Sequence, residues 1–321
     1  MLASPHAQAT AAGVEVLRAG GNAVDAAIAA NAVLAVVYPA SCGLGGDAFW
    51  LVHEPRTGET IAYNGSGRAA AALGAAGMRE RGHANMPERG ALAATVPGAV
   101  RSWEDVLRAH GTRTLDELLA PAERYAREGF VATDVVAAYF ELNAAMLRAD
   151  ADAASLFFGR GCPQPGDLLR NVPLAGTLAA IRTGGADAFY HGRIAEAIAE
   201  TLARGGNPMT VADLAAQRTE RTAPLKIAWH GCEVYANPPN SQSSVGLMAL
   251  GALENDGAAD DARWTHLAIE TLKRAFDVRD SHFADPDAMR VASASFLEQE
   301  ALRRMRASVD PERAQPRLAH S

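Results

Sequence analysis

The sequence has little that would cross-link it, load it with metal or hold it in a membrane. Only three cysteines occur in 321 residues, Cys42, Cys162 and Cys232. They are too far apart for a zinc site and too few for a disulfide scaffold, so they are expected as buried thiols. The nine histidines form no H-E-x-x-H or H-x-H cluster, and no metal centre is expected. Lys and Arg (30) are outnumbered by Asp and Glu (37), which excludes the concentrated basic face of a nucleic-acid binder. The one basic run, "RRMR" at 303–306, reads as the solvated side of a helix. The apolar stretch 23–37 is shorter than the ~20 residues of a bilayer span and contains Asp25 and Asn31. The opening "MLASPHAQAT" has no basic stretch followed by an apolar run. No membrane partner is expected, and the expected location is cytoplasmic, or periplasmic for a chain whose leader has been removed.

What the chain does have is the material for a core, with 49% apolar and 21% charged residues. Helical spacing in "HAQATAAGVEVLRAGGN" stops at Gly20-Gly21. Asn22 can cap a second helix, with Asp25 three positions on, near the positive helix end. That helix is apolar nearly all round, so it is expected to be buried, its alanines letting a sheet come close. "AFWLVHE" and "TIAYNGS" flank "PRTG" and predict a hairpin. "TRTLDELLAPAERYAREGF" predicts an amphipathic helix, and "AGTLAAIRTGGADAFYHGRIAEAIAETLARGG" two more. "CEVYANPP" reads as a strand. "WTHLAIETLKRAFDVRDSHFADPD" is a long helix with Glu270 and Arg274 spaced for an i,i+4 pair, stopping near Asp285-Pro286. Many helices and few strands imply an α+β architecture, helices covering a sheet. Without repeats or linkers, one core over 1–302 is expected. Residues 303–321 carry too little apolar surface to fix the backbone and are expected as a polar, mobile tail.

The glycine-rich "GLGGD" at 43–47 has the order of elements reversed for a dinucleotide loop. A phosphate cradle needs a strand before the glycines and a helix after them. Here a helix comes first, and Asp47 would repel an anion. A tight corner is the better reading. Nor is there a G-x-S-x-G elbow: "NGSGR" at 64–68 lacks the spacing, and "PPNSQSSVG" offers serines with no base beside them. No nucleophile is expected in the chain on its own.

The block "LRAGGNAVDAAIAANAVLAVVYPASCGLGGDAFW" closely resembles the large subunit of γ-glutamyltranspeptidases. So do, in family order, "TVPGAV", "LDELLAPAERYAREGF", "NPMTVADLAAQRTERTAPL", "VYANPPNSQSSVGLMAL" and "HLAIETLKRAFDVRDSHFADPD". The resemblance implies an αββα four-layer sandwich of the N-terminal nucleophile hydrolase type, of which this chain is the large-subunit half. It implies a precursor that cuts itself after Ser321, and a small-subunit partner led by the threonine nucleophile, with its α-amino group as base. The assembly would be a heterodimer or a dimer of heterodimers, with no cofactor. Arg68 aligns with the family's arginine for the substrate α-carboxylate. Its nearest acids in sequence, Glu59 and Glu80, are too distant for a local helical pair, so it is expected to be available to a ligand. Asn64 and Ser66 are weaker candidates, since such residues often satisfy their own backbone. "YNGSGRAAAA" replaces the F-R-x-M-A-P of glutathione-cleaving members, and "NPPNSQSSVG" their P-P-P-S-S-G-G. These departures resemble oxamate amidohydrolases and cephalosporin acylases, leaving the substrate open among small amides bearing a carboxylate. A non-catalytic interaction module is the rival of another class.

Overall fold

A computed structural model describes residues 1–253 and 261–316. Where the sequence suggests one core, contacts cluster in two units: Met1–Ala48 with Gly65–Thr219, and Phe49–Asn64 with Glu220–Ser321. The hairpin is what divides them. It leaves the first unit at Ala48, re-enters at Gly65, and joins the sheet of the second, a long-range pairing that local composition does not mark.

In the first unit, helix Ala7–Arg18 closes at Gly20, whose φ of 85° suits glycine alone. Helix Ala23–Val37 follows at once. Asn22 accepts from the Val24 and Asp25 N–H groups, and Asp25 accepts in return from the Asn22 N–H at 2.8 Å. This is the reciprocal cap that the spacing predicts. Asp25 is fully buried and also holds the turn before helix Leu115–Glu128. It accepts from the Thr112 N–H at 2.9 Å, the Thr112 hydroxyl at 2.6 Å and the Arg113 N–H at 3.2 Å. Within its unit the apolar helix packs on helices Ala7–Arg18, Leu115–Glu128 and Ala99–His110. Asn31, a polar residue within it, accepts from the Trp103 indole N–H at 2.8 Å. Helix Leu115–Glu128 starts on a Thr114–Glu117 capping box and stops at Gly129, with φ 108°.

The second unit holds a three-stranded sheet in the order Ala48–Glu54, Glu59–Gly65, Glu220–Thr222; the last two run antiparallel with Tyr63 opposite Arg221. A hairpin, Leu225–Trp229 with Cys232–Ala236, turns through His230 and Gly231, both at positive φ. Helices Ser244–Leu253, Asp261–His282 and Gln299–Ala307 supply a core of Val245, Met248, Ala275, Leu302 and Met305.

Three expectations change. Glu270 and Arg274 do not pair with each other: Glu270 meets Lys273 at 2.6 Å and Arg274 meets Asp277 at 3.2 Å, both i,i+3, because Glu270 is turned into the unit. The chain does not become a loose tail at 303. Residues 299–307 are helical, Val309 is buried against Leu253 and Leu267, and main-chain groups up to Pro316 are hydrogen-bonded. Composition missed this because the anchoring groups are main-chain amides. Ser321 lies outside the described residues. The cysteines are not buried: Cys42 and Cys162 are half-buried and Cys232 is exposed. Among the described residues no helix is long and apolar enough to cross a membrane.

Candidate active site

The glycine corner proves to be a clasp. The Gly46 carbonyl accepts two N–H groups, Gly98 at 3.0 Å and Ala99 at 2.9 Å, at the start of helix Ala99–His110. A helix N-terminus presents unsatisfied donors, and here a backbone carbonyl takes the place a phosphate oxygen would have. One residue on, the Asp47 carboxylate accepts from the Gly67 N–H at 3.3 Å. Asp47 keeps an exposed face, yet surrounding protein raises its pKa, and the Gly67 bond only partly offsets that.

The segment 65–68 is pinned from three sides. Val96 donates its N–H to the Arg68 carbonyl at 2.9 Å, and the Gln217 amide donates to the Ser66 carbonyl at 2.9 Å. Two glycines make the approach possible. A Cβ on Gly67 would sit 1.5 Å from the Val96 carbonyl oxygen, and one on Gly98 would sit 2.1 Å from that of Gly65. Neither distance can be relieved by a side-chain shift, because both obstacles are backbone. The Tyr190 hydroxyl buttresses the far side, donating to the Pro97 carbonyl at 2.8 Å and accepting from the Arg101 N–H at 3.1 Å. Burial pushes this phenol far above its ordinary pKa, so it stays a neutral donor.

Arg68 therefore projects an exposed side chain from a backbone that has almost no freedom. Arg68 is not without a partner, since the residue already makes an interaction of its own beyond its carbonyl bond. Its candidacy rests on rigid placement, and the expectation of an arginine waiting without a partner is withdrawn. Ser66, half-buried in the same clasp, contributes its carbonyl to Gln217. Asn64 belongs to the other unit, where its amide donates to the Asn240 side chain at 3.0 Å. Sequence reasoning missed Asp47 as an acceptor, Tyr190 and Gln217. "TVPGAV" and "GLGGD" were both legible as motifs, but nothing local says that they grip each other. Among the described residues no three His, Cys, Asp or Glu side chains cluster as a metal site.

The fold overlays on Helicobacter pylori gamma-glutamyltranspeptidase with a TM-score of 0.91 and 28% identity, over 98% of this chain and 93% of that one. It overlays on cephalosporin acylase from Bacillus halodurans with a TM-score of 0.88 and 33% identity, over 94% and 58% respectively. Helices around small sheets with these likenesses define the N-terminal nucleophile hydrolase fold, the αββα class. The profile of the family described as Gamma-glutamyltranspeptidase matches residues 9–320, and the chain belongs to that family. It is 40% identical to the glutathione hydrolase-like YwrD proenzyme of Bacillus subtilis, over 89% of this chain and 55% of that protein. It is 37% identical to the oxamate amidohydrolase proenzyme of Klebsiella pneumoniae, over 98% and 61%. The chain thus spans little more than half the length of these relatives.

Proposed function

We propose that this chain is the large subunit of an amide-cleaving enzyme, and that it holds the acid end of the substrate through Arg68. A threonine at the N-terminus of a small subunit, cut from the same precursor, attacks the amide carbonyl with its own α-amino group as base. The acyl-enzyme then passes to water or an amine. The observation that carries the reading is the exposed Arg68 on a backbone locked by Val96, Gln217 and the absent side chains of Gly67 and Gly98. A guanidinium forks two hydrogen bonds onto a carboxylate, and holding its root still preserves the benefit of that geometry. Ser66 and Asn64 are proposed as secondary contacts.

γ-Glutamyl amides such as glutathione are the first substrate class. Oxamate-type or acylase substrates are the second, favoured by "YNGSGR" in place of the F-R-x-M-A-P of glutathione-cleaving members and by the likeness to the oxamate amidohydrolase proenzyme. Assaying γ-glutamyl anilide, oxamate and glutaryl-cephalosporin side by side ranks them. On the best of these, Arg68→Ala in the two-chain enzyme is expected to lower kcat/KM by a factor equivalent to about 2–5 kcal/mol, with Arg68→Lys between. An unchanged kcat/KM removes Arg68 from the site. A precursor that stays uncut and turns over none of the three amides favours an interaction module.

A further inference from the structure

A cavity of about 290 Å³ opens in the first unit among residues of helices Asp134–Leu142, Ala144–Ala149 and Ala151–Phe157. That is the small end of the range for ligand sites, enough for one ring and a short arm. Its wall is written into the sequence: Val136, Tyr139, Phe140 and Asn143 are spaced 3, 1 and 3 apart, which stacks them along one helical stripe. With Tyr38 and Phe157 this gives four aromatic rings. Tyr38 meets Tyr139 edge-on, with ring centroids 6.4 Å apart, and Phe140 packs on Phe157 at 5.0 Å. Phe140 is 5% exposed, so that part of the wall is fixed, while Tyr139 and Met146 keep 37% of their surface in solvent. No Asp or Glu lines the cavity, and its one charged side chain is Arg89. Arg89 is exposed, and among the described residues it has no hydrogen bond or ion pair. Asn143 donates one amide hydrogen to the Tyr139 carbonyl at 2.9 Å and keeps the second.

Each of these parts selects a property of the occupant. The rings take a flat apolar body by edge and offset contacts, and covering them removes apolar surface from water. A cation without a partner adds a charge-assisted bond to an anion, and because Arg89 is exposed neither charge has to be buried. One guanidinium with no acid beside it matches a single negative charge; the second charge of a phosphate monoester would find nothing. We propose that this cavity is a binding site for a small arylalkyl monocarboxylate. The ring lies against Tyr38, Phe140 and Phe157, and the carboxylate meets Arg89, with the spare Asn143 hydrogen as a second donor. Residues 43–47, 65–68 and 96–99 do not line the cavity, so the site stands whether or not Arg68 holds a substrate.

The test uses the protein purified from its full-length gene. 3-Phenylpropanoate is titrated and followed by ligand-observed NMR, with 3-phenylpropanamide and propanoate as controls that lack the charge and the ring. Expected are a Kd of about 1 mM or tighter for 3-phenylpropanoate and binding at least about five-fold weaker for either control. Arg89→Gln is expected to bring the carboxylate down to the affinity of the amide. Met146→Trp, which fills the cavity, is expected to abolish binding of both, and Arg68→Ala to leave the titration as in wild type. Wild-type affinity in both Arg89→Gln and Met146→Trp overturns the site. So does binding lost in Arg68→Ala and kept in Arg89→Gln, which assigns the probe to the proposed substrate grip instead. Absence of binding to the wild-type protein overturns it as well, whether the cavity is empty or filled by another chain. Amide turnover is a separate readout, so a failure here leaves the enzyme reading untouched.

Discussion

Asp25 and Glu270 are carboxylates cut off from water, one in each unit, and they are satisfied by different means. Asp25 receives only neutral donors: three backbone N–H groups and the Thr112 hydroxyl. Glu270 receives an ammonium and a single N–H. Burial raises the pKa of each, and in both cases the hydrogen bonds outweigh it and bring the net direction down. The difference lies in what is left when the carboxylate goes. When Asp25 goes, donors from two separate stretches, Asn22 and Thr112–Arg113, lose their common acceptor at once. Beside Glu270, the Lys273 side chain is 26% exposed and can turn to water. One carboxylate is built into the fold, and the other holds a segment that can be let go.

The largest expected effect breaks the first of these. Asp25→Ala strands several donors and is expected to lower stability by at least about 3 kcal/mol, read as a fall in the urea midpoint. Glu270→Ala is expected to lose about 1–3 kcal/mol, mostly from the docked segment. The reverse ranking would end the comparison. Next in size is the pH dependence. Both groups bind their proton less readily folded than unfolded. Their stabilisation is therefore full above the ordinary carboxylate range, about 4, and is lost as the pH falls through that value towards the lower folded one. Denaturant melts at several pH values between 7 and 3 should show this decline in wild type and a shallower one in Asp25→Asn. The smallest effect provides the baseline. Arg18 pairs with Glu15 at 2.7 Å with both side chains well exposed, and Arg18→Ala is expected to shift stability by no more than about 0.5 kcal/mol.

Much of the fold was legible because its signals are local. Asn22 with Asp25, Thr114 with Glu117, and "PRTG" between alternating runs each specify an element within a few residues, and each forms. The site was legible only in part. Arg68 and "TVPGAV" stood out through family resemblance, but the contact that locks them depends on glycines at 67 and 98 meeting backbone about thirty residues away in the chain. The end of the chain was misread for a related reason. Its few apolar side chains predict freedom, while its carbonyl and amide groups, present in any sequence, are what His266, Glu270, Lys273 and Arg274 bind. Spacing likewise offered Glu270 to Arg274, and burial sent each to a different partner.

The unequal exposure of the three thiols has a practical side. Cys232 opens the second strand of its hairpin in contact with solvent, while Cys42 is half-buried and its surroundings raise its pKa. The thiolate is the reactive form, so a maleimide dye offered near neutral pH meets its readiest target at Cys232. A fluorescent reporter can thus be attached to the hairpin unit without engineering the chain, and its signal followed while the clasp around Arg68 stays unlabelled.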